Sequence, residues 1–279
     1  MKFSNYHTHC DYCDGKGTLR DYQDKASRQQ IQSIGFSSHA PLPFPRPWSM
    51  KAEDLSRYIG EVADAKKSNP ELEIYCGLEV DYIPGITGPS RFQSQLDYTI
   101  GSVHFVDAFP DGTPWEIDGT HTLFLDGLQQ IFHNDIQAAI TRYFEITRSM
   151  VEHDCPDVIG HLDKIKIQNR PGSLWDENDN WYRQEVIATL DAIARSGAIV
   201  EVNTRGLYQK KSSETYPGNW ALQQILQKKI PITLSSDAHH PEQLTKNFSD
   251  TLSNLYTIGF RELMVISEGR WKSIPLATA

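Results

Sequence analysis

The sequence predicts an α/β barrel, a single domain over residues 1–279, and three observations predict it. The length suits one barrel of roughly 250 residues. Short β-like runs alternate with amphipathic helical runs, the pattern of a parallel sheet with helical crossovers. Residues able to hold metal ions recur at the C-terminal ends of the β-like runs, the face on which barrels carry their sites. A flat doubly wound sheet would show the same alternation but would leave its strand ends in a row at a spacing of about 4.8 Å, whereas closure brings them round one mouth.

The β-like runs cover residues 3–9, 33–38, 74–80, 98–105, 158–162, 198–203 and 230–235. Helical patterns lie between them at 52–67, 123–153, 181–196 and 220–228, several stopping near Gly or Pro. Seven such units suit a barrel. The Pro-rich stretch from Pro41 to Pro47 follows a strand and reads as a loop, and no repeat, linker or low-complexity segment divides the chain.

Lys and Arg number 27 against 36 Asp and Glu, a net charge of −9 with pI near 5.6. That balance argues against a general affinity for nucleic acid or anionic membranes and leaves room for a local basic pocket. The first residues lack an apolar signal region and no run of about 18 apolar residues follows, so the expected location is the cytoplasm. Cysteines at 10, 13, 76 and 155 are too few and too irregular for a disulfide framework and read as free thiols. Cys10 and Cys13 form a Cys-x-x-Cys, but no second pair completes a four-thiolate site and no thioredoxin-like strand and helix flank it.

The first strand run ends in His7-Thr-His9, which places both imidazoles on one face because side chains alternate along a strand. Two imidazoles and a carboxylate make a common site for zinc, iron or manganese. The series continues with His39, Glu79, His104, His161, Asp237 and His239, each at or just past the end of a run. Of ten histidines, His7, His9, His39, His104, His161, His239 and His240 fall at such ends. His121, His133 and His153 fall in a loop and a helix and read as solvated or capping residues. Glu79 and Asp237, pushed into a barrel mouth, need a metal or a salt-bridging Arg or Lys to offset burial.

Together, His7-Thr-His9, Phe36-Ser-Ser-His39, Gly77-Leu-Glu79, Gly101-Ser-Val-His104, Gly160-His161 and Asp237-Ala-His239 resemble the polymerase and histidinol phosphatase (PHP) family across almost the whole chain. The stretches Ser37-Ser-His-Ala-Pro-Leu42 and Glu201-Val-Asn-Thr-Arg-Gly206 resemble its histidinol phosphate phosphatase branch. The resemblance implies a distorted seven-stranded (β/α)7 barrel of TIM type with three divalent metal ions, Zn, Fe or Mn. It implies His7, His9, Glu79 and Asp237 for the first ion, with Glu79 bridging to a second held by His104 and His161. The third would take His39, His239 and a residue of the loop after the first strand, where many relatives carry a histidine and this chain offers Asp14. A carboxylate is an acceptable hard ligand there.

The implied activity is hydrolysis of L-histidinol phosphate to L-histidinol and phosphate, in histidine biosynthesis. A hydroxide shared by two metals would attack in line, without a covalent intermediate. Glu79 and Asp237 are the expected catalytic carboxylates, Asp237 also as a candidate to handle a proton. Arg205 is the leading candidate for the phosphate because a guanidinium gives two parallel hydrogen bonds. Lys166 is the second, while Arg46 reads as a solvated loop residue. The alternatives are another small phosphate ester, such as a sugar phosphate or nucleotide, and a non-catalytic metal-binding protein. A DNA end is disfavoured by the acidic charge.

Overall fold

The computed structural model describes residues 2–169 and 173–276; the remaining residues of the expected 1–279 domain lie outside it. Eleven strands are described, in chain order β1 (Ser4–Asn5), β2 (Ser33–Phe36), β3 (Glu73–Asp81), β4 (Tyr98–Ser102), β5 (Phe105–Ala108), β6 (Pro114–Glu116), β7 (Val158–Ile159), β8 (Ile199–Asn203), β9 (Ile232–Ser235), β10 (Glu262–Ser267) and β11 (Arg270–Pro275). The helices are α1 (Leu19–Arg28), α2 (Leu55–Ser68), α3 (His121–Phe132), α4 (Ile136–His153), α5 (Asn180–Ser196), α6 (Arg205–Tyr208), α7 (Asn219–Gln227) and α8 (Phe248–Ile258).

Seven strands form one parallel sheet in the order β1-β2-β3-β4-β7-β8-β9. Its two edges meet just beyond the strand ends, where Thr8 bridges Ala238 in parallel. His9 N donates to Ala238 O (2.8 Å) and Ala238 N to His7 O (3.1 Å). The sheet is therefore a barrel nearly closed at its C-terminal rim, as the resemblance implied.

The interior below that rim is filled by packing. Tyr98 lies across it and its hydroxyl donates to Tyr6 O (2.5 Å). Gly35 and Gly77 make that possible, because a Cβ on either would stand 2.2 or 2.4 Å from the Tyr98 ring or its hydroxyl. The antiparallel hairpin β10–β11 supplies the floor: Val265, Ile266 and Trp271 pack with Tyr6, Tyr75, Tyr98, Val158 and Ile199.

The helix expected over 123–153 is two helices, α3 and α4, separated where His133 and Asn134 adopt positive φ of 52° and 67°. The run expected over 98–105 likewise ends at Ser102, and after His104 the chain forms the hairpin β5–β6. Helices α1 and α8 complete the strand-helix units after β1 and β9, and the hairpin β10–β11 lies beyond the seven expected runs. No helix among the described residues is long and apolar enough to cross a membrane.

Candidate metal centre

Glu79 organises the mouth. Its position on β3 turns it into the barrel, where it is 1% exposed, and its two oxygens face two different sets of imidazoles. Oε2 lies 3.3 Å from His7 Nε2, 3.5 Å from His9 Nε2 and 3.0 Å from His39 Nδ1. Oε1 lies 2.9 Å from His161 Nε2 and 3.7 Å from His104 Nε2, and accepts from Ser102 Oγ at 2.6 Å. Burial opposes the charge on Glu79, yet His39, His7 and His161 together hold its carboxyl well below the usual range.

Asp237 completes the side nearest the closing seam. It follows β9 in the left-handed region, φ 50°, a costly conformation that persists only where neighbours fix it. Here Tyr208 Oη and Arg205 Nη1 both donate to its carbonyl, at 3.1 and 2.7 Å. Its Oδ1 stands 3.2 Å from His9 Nε2, 3.3 Å from His239 Nδ1 and 3.7 Å from His7 Nε2, while Asn203 Nδ2 donates to Oδ2 at 3.3 Å. Asp14 lies beside His239 Nε2 (3.3 Å) and His39 Nε2 (3.9 Å).

Three donor groups result, each with ligand atoms within 4.8 Å of one another: His7, His9 and Glu79; Glu79, His104 and His161; and His9, Asp14, His39 and His239. A fourth grouping joins His39, Asp81 and His104. His7 Nε2, His9 Nε2, His39 Nδ1 and Asp237 Oδ1 are buried with no hydrogen-bond partner among the described residues. Orphaned polar atoms converging on one point are costly unless something binds them. Burial opposes charge on His7 and His104, but Glu201 and Asp237 raise the first well above its ordinary value, and Asp81 and Asp118 raise the second to about 10. The cluster thus calls for positive charge at its centre, and the residues fit divalent cations, which supply that charge and use imidazole nitrogens as ligands.

The outer nitrogens of the imidazoles are also engaged. Glu201 Oε1 meets His7 Nδ1 at 2.5 Å, and Asp81 Oδ1 meets His104 Nδ1 at 2.9 Å. Such carboxylates fix the ring and raise its basicity toward a metal. Glu201 also accepts from His161 N (2.7 Å), Asn203 Nδ2 (3.1 Å) and the Ser235 hydroxyl. For His9 the outer partner is Cys13 Sγ, 3.5 Å from Nδ1, and burial pushes that thiol up. All four cysteines are free. The sequence reading assigned no role to Glu201 or Asp81, although each is two residues along its strand from an inward-facing neighbour, Asn203 or Glu79, and so shares its face.

Beside the histidines opens a cavity of about 210 Å³, lined among others by Trp48, Glu116, Asp118, Lys164, Arg205 and Asp237. Arg205 is part of that lining. It is also tied to the centre, with Nη1 2.5 Å from His239 Nδ1 and 3.9 Å from Asp237 Oδ1. Lys166 does not reach it: its Nζ is held by Asp163 (2.9 Å), Glu177 (3.4 Å) and Glu214 (3.9 Å) and lines a separate cavity. Lys166 therefore stands apart from the cavity, contrary to expectation, and the lysine that lines it is Lys164, whose Nζ pairs with Asp118 Oδ2 at 3.2 Å. Arg46 packs over Phe44 and Phe105 at 5.3 and 5.5 Å and is not a freely solvated residue. His121 Nδ1 contacts Gln168 Oε1 at 3.0 Å at the start of α3, and His133 caps its C-terminus; His153 ends α4.

The PHP domain family model matches residues 5–205, most of the chain. The chain belongs to the PHP family. Similar PHP relatives include the histidinol-phosphatase of Bacillus subtilis, 30% identical over 260 residues, covering 86% of this chain and 94% of that protein. A probable histidinol-phosphatase of Deinococcus radiodurans is 28% identical over 265 residues, covering 91% and 93%. The crystal structure of histidinol phosphate phosphatase from Lactococcus lactis, complexed with zinc, L-histidinol and phosphate, superposes with a TM-score of 0.70 at 21% identity. It covers 97% of this chain and 99% of that one, a likeness of fold.

Proposed function

We propose that this PHP protein hydrolyses L-histidinol phosphate to L-histidinol and phosphate, the phosphatase step of histidine biosynthesis. The observation that carries the reading is the division of Glu79 between two sets of imidazoles at the edge of a pocket that also holds Arg205 and Lys164. Full-length similarity to histidinol-phosphatases supports the choice of substrate.

Three divalent ions, of zinc, iron or manganese, would be held by His7, His9, Glu79 and Asp237; by Glu79, His104 and His161; and by Asp14, His39 and His239. When bound, they supply Lewis-acid polarisation of a phosphoryl oxygen and make water nucleophilic at neutral pH. The chain's own residues bind and orient. Arg205 offers a planar donor fork to the phosphate oxygens, and Lys164, aimed by Asp118, offers a compact charge. Asp237, whose Oδ1 faces His7 and His9, would serve as a ligand of the first ion, and its carboxylate is the candidate to handle a proton. Glu201 and Asp81 hold His7 and His104 in fixed tautomers. Trp48 lines one side of the pocket, its ring 4.7 Å from His39.

Phosphate release by protein loaded with each metal, assayed against histidinol phosphate, sugar phosphates and nucleotides, tests the reading. Histidinol phosphate should be hydrolysed with the highest kcat/KM, and chelation verified by elemental analysis should abolish turnover. Full turnover by metal-free protein, or a preference for a sugar phosphate or nucleotide, would defeat it.

A further inference from the structure

A second cavity, of about 240 Å³, opens where Lys166 sits, and none of its lining residues belongs to the first. Lys166 Nζ lies among Asp163, Glu177 and Glu214, so one buried ammonium serves three carboxylates. Gly218 admits that packing, since a Cβ there would stand 2.6 Å from Lys166 Nζ and 2.4 Å from Glu214 Oε2. The Gly218 amide donates at 3.0 Å to Asp163 Oδ2, the oxygen that also meets Lys166. Asp163 Oδ1 is left over. It is buried without a hydrogen-bond partner among the described residues, on a side chain that lines the cavity and belongs to a residue only 2% exposed. Burial also raises the Glu177 carboxyl above its ordinary range although Lys166 opposes it, so this wall is short of positive charge.

A donor in the same cavity is unanswered too. Arg183, on α5, rests its guanidinium on the Trp220 ring at 4.8 Å and donates through Nη2 to Asn178 Oδ1 at 2.6 Å. Its Nε is buried without a partner among the described residues. An acceptor and a donor that both lack partners in one cavity are costly unless an occupant meets both. Val186 and Ala221 supply an apolar stretch of the lining. We infer that this cavity is a second binding site, for a free α-amino acid with an apolar side chain. The ammonium donates to Asp163 Oδ1 between Glu177 and Glu214, Arg183 receives the carboxylate, and the side chain lies against Val186 and Ala221.

The two cavities share two stretches of chain. After His161, Asp163 and Lys166 line the second cavity while Lys164 and Ile167 line the first; further on, Glu214 and Gly218 line the second and Tyr216 the first. An occupant that draws on Asp163 and Glu214 therefore acts on the segments that hold Lys164 and Tyr216 at the mouth, and its binding shifts the affinity of the mouth for a phosphate ester. That coupling rests on the histidinol phosphate reading; the binding itself does not.

The test is calorimetric titration of the metal-loaded protein with L-leucine and with its two one-ended analogues, 3-methylbutylamine and 4-methylpentanoate. L-Leucine should bind with a single site per chain. Arg183→Met should weaken it roughly 10- to 100-fold, the usual worth of a hydrogen bond to a charged group, while holding the amine within about 3-fold of wild type. Glu214→Gln should weaken L-leucine and the amine but not the acid. Neither residue lines the catalytic cavity, so metal content and kcat/KM in the absence of L-leucine should match wild type. Saturating L-leucine should change the KM for histidinol phosphate by at least about 3-fold in wild type and leave it unaltered in Arg183→Met. No binding at millimolar L-leucine would mean that the cavity holds solvent only and would overturn the site. Binding indifferent to both variants, or displaced by L-histidinol with phosphate, would overturn it as well. Binding as expected with an unaltered KM would overturn the coupling. A wild type that titrates normally but fails to hydrolyse histidinol phosphate would instead defeat the phosphatase reading and leave the site standing.

Discussion

The two ends of this barrel are built from the same strands under opposite rules. At the floor, polar atoms are largely satisfied internally: the Tyr6 hydroxyl meets Ser33 Oγ (2.5 Å), Ile266 N (2.8 Å) and Ile266 O (3.2 Å) among apolar neighbours, and the Trp271 indole N–H is the exception. One residue further on, at the mouth, His7 has its Nδ1 fixed by Glu201 and its Nε2 left without a partner. His9 and Asp237 repeat that arrangement of one atom held and another left open, and His39 Nδ1 is open as well. A fold gains stability by satisfying such groups. Their concentration at one end marks the part of the molecule shaped for binding, and the packed floor holds it in register.

The contrast has measurable consequences. Glu79→Gln should do most damage, because it removes the charge both imidazole sets face and puts a donor amide against ring nitrogens: about 3–5 kcal/mol in kcat/KM, with bound metal falling in parallel. Normal turnover at full metal stoichiometry would remove Glu79 from the centre. Arg205→Met should cost about 2–4 kcal/mol in kcat/KM for histidinol phosphate, as expected of a lost partner in a desolvated charge pair. Its contacts to His239 and Asp237 also predict weaker metal retention by the group containing His239. Near-wild-type kinetics would deny it any part in binding phosphate. Glu201→Gln, which touches no pocket atom, should lower metal affinity roughly 10- to 100-fold through His7, read by competitive chelator titration. Unchanged affinity would make Glu201 a purely structural carboxylate. Tyr98→Phe at the floor should be mildest, about 1 kcal/mol of stability from the lost bond to Tyr6 O, with kcat/KM unaltered below the melting transition. A large fall in activity there would mean that floor and mouth are not separable.

The mouth was more legible in the sequence than the floor, because a histidine or carboxylate at the end of an apolar run is a conspicuous break in pattern. His7, His9, His39, Glu79, His104, His161, Asp237 and His239 could be read that way, and Asp14 followed from the family resemblance. Glu201 escaped notice because it lies inside a strand, where alternation alone says only that it shares a face with Asn203; Asp81, the last residue of β3, was overshadowed by Glu79 on the same face. Lys164 and Lys166 could not be ranked without coordinates. They occupy one 3₁₀ turn, Lys164–Gln168, in which three residues complete a revolution, so side chains two apart leave in different directions. The floor hairpin was hidden for another reason. Trp271-Lys272-Ser273-Ile274 has an exposed, mixed face, and its strand character comes from pairing with β10 and from packing under Tyr98.

The seam between Thr8 and Ala238 carries one more implication. The residues that zip the two edges of the sheet together are interleaved with His7, His9, Asp237 and His239, so the last gap in the barrel and the donor cluster come into being together. Segments more than two hundred residues apart in sequence are joined there by a few main-chain bonds, which makes the seam a natural place for the native state to breathe. A cation gripped from both sides favours the zipped form by mass action. Amide exchange at His9 and Ala238 would then slow as the ion concentration rises, while exchange at the floor stays constant, and the protein would register its own loading as a change in local opening.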